Sequence, residues 1–151
     1  MEELKEQGVK GENYAALHVG DWTGLLEKGH QTETGKLGKL FLKELLGLTG
    51  MEVSIGVMPA GSQIPFSHSH IENEELYLFI KGAGQFYIDG EVLDIREGTV
   101  IRVTPAGVRA WRNNSSEDLH YLCIQAKEGS LQQYTATDGK IIDHPFKWPE
   151  K

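Results

Sequence analysis

The sequence predicts an all-β domain, and three observations support this prediction. Short apolar segments recur through the middle of the chain, separated by glycine, proline or an Asp-Gly pair. None of these segments has the length or the periodicity of a convincing amphipathic helix. The segments also follow one another at the short spacing that is typical of a β-barrel or a β-sandwich.

The individual strands can be assigned from their apolar and aromatic residues. Residues 40–46 are ambiguous between strand and helix, but the turn Gly47–Gly50 favours one arm of a hairpin leading into Met51–Met58. The Asp89-Gly90 pair is a stronger, two-residue hairpin signal. The other predicted strands are Leu76–Ile80, Gln85–Ile88, Glu91–Ile95, Val100–Val103, Val108–Asn113 and Leu119–Ala126.

Composition narrows the class of protein and its partners. The 151 residues are 39% hydrophobic and 25% charged, which is the balance of one folded domain. The net charge of −7 argues against a nucleic-acid partner, because binding phosphates needs clustered Lys and Arg. The chain lacks a long apolar run and its start, Met1–Lys5, is charged, so we expect no membrane partner and no signal peptide. We therefore expect a cytoplasmic protein in which the single cysteine, Cys123, is a buried apolar residue.

The chain divides into three predicted segments. Residues 1–36 are polar and glycine-rich apart from an apolar patch at Tyr14–Val19, which predicts an extended N-terminal arm packed on the domain or on a partner subunit. Trp22 is a candidate anchor for this arm. Residues 37–130 contain the predicted strands, and residues 131–151 form a polar C-terminal extension.

The most informative segment, Pro65–Glu75, contains two histidines and several carboxylates. In a strand, His68 and His70 would project from the same face. A carboxylate on the next strand would complete a set of two imidazoles and one oxygen, which suits iron, manganese, nickel or zinc. Alternatively, these histidines lie on a surface loop beside solvated glutamates.

The spacing around these histidines resembles the first motif of the cupin superfamily. That motif is a Gly, about five residues, HxH, three or four residues, a Glu, six residues and a Gly. This sequence has Gly61, six residues, His68-Ser69-His70, four residues, Glu75, six residues and Gly82. The resemblance implies a single cupin jelly-roll β-barrel with His68, His70 and Glu75 as metal ligands. With Glu75 inward, strand alternation also sends Tyr77 and Phe79 into the pocket.

The second cupin motif is incomplete in this sequence. The family pattern is a Gly, five residues, PxG, two residues, a His, three residues and an Asn. Here Gly98, six residues, Pro105-Ala106-Gly107, two residues, Ala110, three residues and Asn114 stand in these places. The histidine that supplies a further ligand in metal-binding cupins is absent. Its position falls on Ala110 when counted from Gly107, and on Arg109 when counted from Gly98.

The direction of Arg109 therefore decides the chemistry of the pocket. An inward Ala110 would leave space, and a metal would be held more weakly by three ligands. An inward Arg109 would repel a metal and would suit an anionic ligand instead. Trp111 shares the face of Arg109, and His120 opens a later strand, so both are further candidates for ligand binding.

The resemblance leaves two function hypotheses open, because the cupin fold hosts many activities. The first is a metalloenzyme that uses a divalent ion (Fe, Mn, Ni or Zn) on a small carboxylate or sugar. The second is a metal-free binding module or a sugar isomerase-like cupin, in which the histidines bind the ligand or transfer protons. Both have a small-molecule ligand. A homodimer is the expected assembly, because cupins commonly pair through an outer sheet.

Overall fold

The computed structural model of the protein describes residues 8–28, 31–32, 35–36 and 38–150. Its helices are α1 (Leu25–Lys28) and α2 (Lys43–Leu46), with 3-10 turns at Trp22–Gly24 and Ala136–Asp138. Its strands are β1 (Gly8–Lys10), β2 (Ala15–Leu17), β3 (Gln31–Thr32), β4 (Gly35–Lys36), β5 (Gly38–Phe41), β6 (Glu52–Met58), β7 (Asn73–Lys81), β8 (Ala83–Ile88), β9 (Glu91–Arg96), β10 (Val100–Val103), β11 (Arg109–Arg112) and β12 (Leu119–Lys127). The all-β prediction is confirmed.

Two antiparallel sheets form the body of the protein. The larger has the strand order β10-β7-β12-β6-β5, and the smaller has the order β11-β8-β9. Isolated bridges from Gln63 and His68 to Arg112 and Arg109 attach the segment before β7 to the smaller sheet. No hydrogen-bonded pairing between the described strands closes the two sheets into one barrel. The arrangement is a jelly-roll β fold with an open seam.

The hairpin predicted at Asp89-Gly90 is present. Ile88 pairs with Glu91, so the loop between β8 and β9 has two residues. Both loop residues have positive φ, 48° at Asp89 and 96° at Gly90, as the tight turn of a twisted hairpin requires. An aspartate followed by a glycine is suited to this backbone, because both tolerate the left-handed region.

The ambiguous segment 40–46 contains a strand and a helix in succession. β5 ends at Phe41, and the single turn of α2 follows at Lys43–Leu46. Gly47 ends this turn in the left-handed conformation, with φ 69°. β5 pairs with β6, so the predicted hairpin arm is confirmed, but its connection is helical.

The main core lies between the two sheets, where the inward residues of both meet. Burial alternates along β7 and β11, as expected for strands that have one face on a core. Gly56 permits close packing here, because an added Cβ would lie 2.2 Å from Cζ of Tyr121. The buried apolar members are Met58, Ile64, Tyr77, Phe79, Phe86, Ile95, Val103, Trp111, Leu119, Tyr121 and Cys123.

A second apolar cluster covers part of the outer face of the larger sheet. Leu25 of α1 is buried there against Leu40 and Ile55, and Trp22 packs at its margin. The N-terminal segment is thus attached to the sheet near Trp22. The β1–β2 hairpin before it is exposed. Residues 1–7, 29, 30, 33 and 34 of the predicted arm, and residues 37 and 151 of the other two predicted segments, lie outside the described residues.

In the part of the chain that the structure describes, no helix reaches the length and apolar character that a bilayer crossing requires.

Candidate functional site

Strand β7 positions the carboxylate of the site. Glu75 is 3% exposed, and its neighbours on the same face, Tyr77 and Phe79, are equally buried. The inward parity predicted for these three residues is therefore confirmed. The Tyr77 hydroxyl donates a hydrogen bond of 2.6 Å to Oε2 of Glu75. The Cys123 thiol donates a hydrogen bond of 3.3 Å to the other carboxylate oxygen, Oε1.

Strand β11 turns Arg109 inward, which answers the question left open by the incomplete second motif. Arg109 pairs with Ile88 and Trp111 pairs with Phe86 of β8, and the Arg109 side chain is completely buried. Ala110 points to the opposite face, where it lines a groove with Tyr87 and Arg112. Of the two residues that the counting left open, Arg109 is therefore the one that faces the pocket.

The guanidinium of Arg109 is hydrogen-bonded to neighbouring groups of the protein. Its Nε donates to Oε2 of Glu75 at 3.0 Å, and Nη2 donates to the same oxygen. Its Nη1 donates to the carbonyl oxygens of Gly107 at 2.9 Å and of His68 at 3.4 Å. A fork engaged with a carboxylate and two carbonyls is a rigid, charge-assisted network. Arg109 therefore positions the site, because these bonds engage all three of its side-chain nitrogens.

His68 and His70 approach the carboxylate from an irregular segment rather than from a regular strand. His68 makes only an isolated bridge, in which its backbone exchanges two 3.0 Å hydrogen bonds with Arg109. The His70 amide donates to the Pro105 carbonyl at 2.8 Å. These bonds still bring both rings together, with 5.5 Å between centroids. Nε2 of His70 lies 3.4 Å from Oε1 of Glu75.

The Glu75 carboxylate is ionised despite its burial. Burial opposes the charged form, but hydrogen bonds from Tyr77 and Arg109 and the charge of Arg109 outweigh it, so the pKa of Glu75 is lowered. For Arg109, burial is likewise outweighed by its bonds and charge interaction with Glu75, so its pKa is raised. The two side chains form a buried ion pair whose net charge is zero.

Both histidines have a lowered pKa, which favours the neutral imidazole. Burial, together with the nearby Arg109 charge, lowers the pKa of His68 to about 4. Burial also lowers the pKa of His70, against the opposing influence of Glu75. A neutral imidazole has one N–H donor and one acceptor nitrogen. Nδ1 of His68 is buried and has no hydrogen-bond partner among the described residues.

Cys123 and Tyr77 also remain uncharged. Burial and the neighbouring Glu75 raise the pKa of the Cys123 thiol to about 12. Burial similarly raises the pKa of Tyr77. A thiol with this pKa is not a nucleophile at neutral pH, which agrees with the expectation of a buried apolar residue.

The other predicted ligand-binding residues are divided between two places. Trp111 packs edge-on against Tyr77, at 5.2 Å between centroids, and its ring centroid is 6.3 Å from that of His68. Phe79 stacks behind Tyr77 at 6.5 Å. His120 lies elsewhere, stacked on Trp22 at 6.1 Å and close to Lys81 and Asp21. The structure thus gathers Tyr77, Trp111 and Arg109 with the histidines, and it separates His120 from them.

Lys39 belongs to this region, although the sequence did not indicate it. It lies on β5 opposite Gly56, and its charge helps to lower the pKa of His68 and His70, after the larger effect of burial. The only signal that identifies it is the register of β5 against β6. That register could not be assigned while residues 40–46 were ambiguous.

One ligand atom each from His68, His70 and Glu75 lie within 4.8 Å of one another, so these residues could hold a metal. They are of the types that divalent first-row metals use. Their charge fits such an ion poorly, however. Arg109 already neutralises Glu75, and a permanent cation beside the site repels a second one.

The fold and the site together define a jelly-roll protein with a histidine and carboxylate cluster between its sheets. The cupin domain family matches residues 54–125. The crystal structure of a cupin protein from Bacteroides fragilis is 37% identical, with a TM-score of 0.73, over 87% of this chain and 99% of that one. The chain belongs to the cupin family.

Two more distant similarities extend this result. An uncharacterized protein from Methanocaldococcus jannaschii is 26% identical over 87 residues, which span 58% of this chain and 65% of that relative. The crystal structure of a putative sugar phosphate isomerase from Acidithiobacillus ferrooxidans is 21% identical, with a TM-score of 0.55. That match covers 60% of this chain and 59% of the isomerase. At this identity the likeness concerns the fold.

Proposed function

We propose that this protein is a cupin that binds a small polar metabolite without a resident metal ion. The observation that supports this proposal is the fully buried Arg109, which stands in the place of the metal-ligating histidine and pairs with Glu75. The carboxylate that would attract a cation is satisfied by protein donors instead. Such a site recognises its ligand through hydrogen bonds and shape.

In this proposal each residue has a defined task. Glu75, Arg109 and Tyr77 form a buried network that holds the backbone of the histidine segment in place. His68 and His70 are the binding groups, and the unpartnered Nδ1 of His68 is available to accept a hydrogen bond or to donate one. Access is from the side of His70, whose side chain is 24% exposed and adjoins an open surface groove.

The same residues limit the acid–base chemistry that the site can perform. A histidine whose pKa is about 4, as for His68, is a weak base and is rarely protonated at neutral pH. An isomerase mechanism that needs a histidine of ordinary pKa is therefore less suited to this pocket than simple binding.

A metal-dependent enzyme is the second candidate. The observation in its favour is that His68, His70 and Glu75 converge, with one buried imidazole nitrogen left without a partner among the described residues. An ion at this position would supply Lewis-acid chemistry to a bound carboxylate or sugar. It would have to bind beside Arg109, which is the reason for ranking this candidate second.

Elemental analysis of tag-free protein distinguishes the two candidates. We expect the parent protein and a His68→Ala variant to contain the same substoichiometric amounts of iron, manganese, nickel and zinc, even after incubation with each ion. A stoichiometric metal in the parent that is lost in the variant would show that the metal-free proposal is wrong. His144→Ala, in the exposed C-terminal segment, is the matched control for loss of an unrelated histidine.

A further inference from the structure

The outer face of the smaller sheet has a groove of its own, separate from the pocket between the sheets. Alternation along β11 turns Ala110 and Arg112 outward, away from the buried Trp111. Ala110 pairs with Tyr87 of β8, and Arg112 pairs with Gln85, and all five residues line the groove. Its volume is about 150 Å³. Pockets for drug-sized ligands measure roughly 300 Å³ or more, so this outer groove fits only a small molecule.

The outer groove is lined mostly by apolar residues. Ala110, whose side chain is a single methyl group, lies between Tyr87 of β8 and the segment before β7, which is held to β11 by a 3.0 Å hydrogen bond from the Ile64 amide to the Trp111 carbonyl. Tyr87 is 38% exposed, and Val92 of β9 pairs with it and extends the apolar lining. The short side chain of Ala110 thus leaves a depression beside an exposed aromatic residue.

The Arg112 guanidinium supplies the charge of the outer groove. Its Nε donates to Oε1 of Gln85 at 2.9 Å, and Nη2 donates to the same oxygen. Nε2 of Gln85 donates in turn to Oδ1 of Asp94 at 3.0 Å, so a ladder across β11, β8 and β9 orients the guanidinium. Of the described residues that line the groove, Arg112 alone is charged, and Asp94 is not among them.

Several hydrogen-bonding groups of the outer groove have no partner among the residues that the structure describes. They are Nη1 of Arg112, the side-chain amide of Gln63 and the hydroxyl of Tyr87. Gln63 forms an isolated bridge to Arg112, which places it beside the guanidinium on the edge of β11. Donors are therefore available next to an apolar lining, as in sites that bind small organic ligands.

We propose that the outer groove is a second binding site, which takes a small organic acid with a carboxylate group on a flat apolar ring. The carboxylate binds the guanidinium of Arg112, because the planar fork of arginine matches a carboxylate. The ring packs over Ala110 against Tyr87, because aromatic side chains bury flat apolar surfaces well. An anion without an apolar body would leave most of the lining uncovered. The site is independent of the ligand of the inner pocket.

Titration of tag-free protein with benzoate, followed by NMR, tests this proposal. The signals are the backbone amides of Tyr87 and Ala110 and the side-chain amide of Gln63. Acetate, which has the carboxylate without the ring, and benzyl alcohol, which has the ring without the charge, are the comparison probes. The variants are Arg112→Met, Arg112→Lys and Ala110→Leu, which fills the groove. Arg96→Met is the matched control, because Arg96 is an exposed arginine of the same sheet outside the groove.

We expect benzoate to shift these signals of the parent protein in a saturable way, and to bind more tightly than acetate or benzyl alcohol. Arg112→Met should weaken benzoate binding roughly tenfold or more, because hydrogen bonds to a charged group are lost. Arg112→Lys keeps the charge without the planar fork, so its affinity should lie between those of the parent and of Arg112→Met. Ala110→Leu should abolish binding without changing the fold, which thermal unfolding checks, and Arg96→Met should bind like the parent.

Four outcomes would overturn the inference. Equal benzoate affinity in Arg112→Met and the parent would exclude the contact with the carboxylate. Acetate or benzyl alcohol binding as tightly as benzoate would exclude a site that needs both the charge and the ring. Benzoate binding that persists in folded Ala110→Leu, or that shifts the ring of His70 and none of the groove signals, would place the probe elsewhere. The absence of any saturable shift with benzoate would exclude the site.

Discussion

Among the residues that the structure describes, Glu75 is the only buried carboxylate, and the Arg109 guanidinium is bonded to it. The pair has zero net charge and lies beside His68 and His70. Transferring two ions from water into a protein interior costs several kcal/mol per ion, so their mutual hydrogen bonds must be nearly complete. Tyr77 and Cys123 supply the remaining donors.

Removal of the guanidinium leaves Glu75 buried without its cation. We expect Arg109→Met to lower the free energy of unfolding by about 3–5 kcal/mol, measured by denaturant titration. Arg112→Met, on the exposed face of the same strand, should change it by less than about 0.5 kcal/mol. Glu75→Gln combined with Arg109→Met should recover much of the loss. If Arg109→Met lowered the free energy of unfolding no more than Arg112→Met does, the ion pair would contribute little to stability.

The depressed pKa of His68 makes stability depend on pH. The ordinary pKa is 6.5 and that of His68 in the folded protein is about 4, so between these values only the unfolded chain binds the proton. Stability therefore falls as pH is lowered through this window. The contribution of Glu75, whose pKa is lowered from 4.5, is lost only at lower pH still.

We expect His68→Gln to flatten the decline in unfolding free energy between about pH 6.5 and pH 4.5, measured by denaturant titration at several pH values. His144→Gln, which changes an exposed histidine, should leave the decline as it is. An identical pH profile in His68→Gln and the parent would contradict the depressed pKa of His68.

At the same scale, the sequence predicts some site residues and misses others for a physical reason. Counting back from Gly82 selects Glu75, because the intervening strand is regular and alternation then fixes Tyr77 and Phe79. Counting does not locate the position of the missing histidine. Because there is one additional residue between Gly98 and Pro105, the position counted from Gly98 differs from the position counted from Gly107. Only the pairing of Arg109 with Ile88 decides which residue points inward.

At the scale of elements, strands β6 and β12 pack closely because Gly56 leaves room for the Tyr121 ring. A methyl group at Gly56 would overlap that ring, with 2.2 Å between Cβ and Cζ of Tyr121. The same glycine pairs with Lys39 of β5.

We therefore expect Gly56→Ala to lower the free energy of unfolding by about 1–3 kcal/mol, since overpacking forces the ring or the backbone to shift. Gly50→Ala is the matched control, because nothing lies within 4 Å of a Cβ added there. Thermal or denaturant unfolding of both variants measures the difference. Equal stabilities would mean that the core accommodates the additional methyl group without strain.

The elements also show where local patterns suffice and where they do not. The Asp89-Gly90 hairpin was predictable because its two residues tolerate positive φ. The structure of residues 40–46 was not predictable, because β5 and the single turn of α2 follow one another within seven apolar and charged residues. Pairing with β6, a contact distant in sequence, determines where the strand ends.

At the scale of the whole molecule, an apolar stripe runs along the outer face of the larger sheet up to the second apolar cluster. Val100 pairs with Leu78 across β10 and β7, and Leu78 pairs with Leu122 of β12. Val100 is 57% exposed and Ile80 is 40% exposed. A second copy of the chain would bury this stripe, which supports the expected homodimer as a proposal.

We expect sedimentation equilibrium to give a dimer for the parent protein and a monomer for Val100→Glu, because a charge within the stripe would remain unpaired on burial. Val92→Glu is the control, since Val92 is 59% exposed but lies on the smaller sheet. A monomeric parent would remove the proposed dimer. Dimers of equal stability in both variants would place the interface on another surface.

The metal affinity of Arg109→His tests the central proposal most directly, namely that Arg109 takes the place of a ligand and keeps the site free of metal. Titration calorimetry with Mn²⁺ and Zn²⁺ should show one ion bound to Arg109→His about a hundredfold or more tightly than to the parent, because a repelling cation becomes a fourth ligand. Arg109→Met removes the charge without adding a ligand, so its metal affinity should lie between those of the parent and of Arg109→His. A parent protein that binds one ion as tightly as Arg109→His would contradict the account.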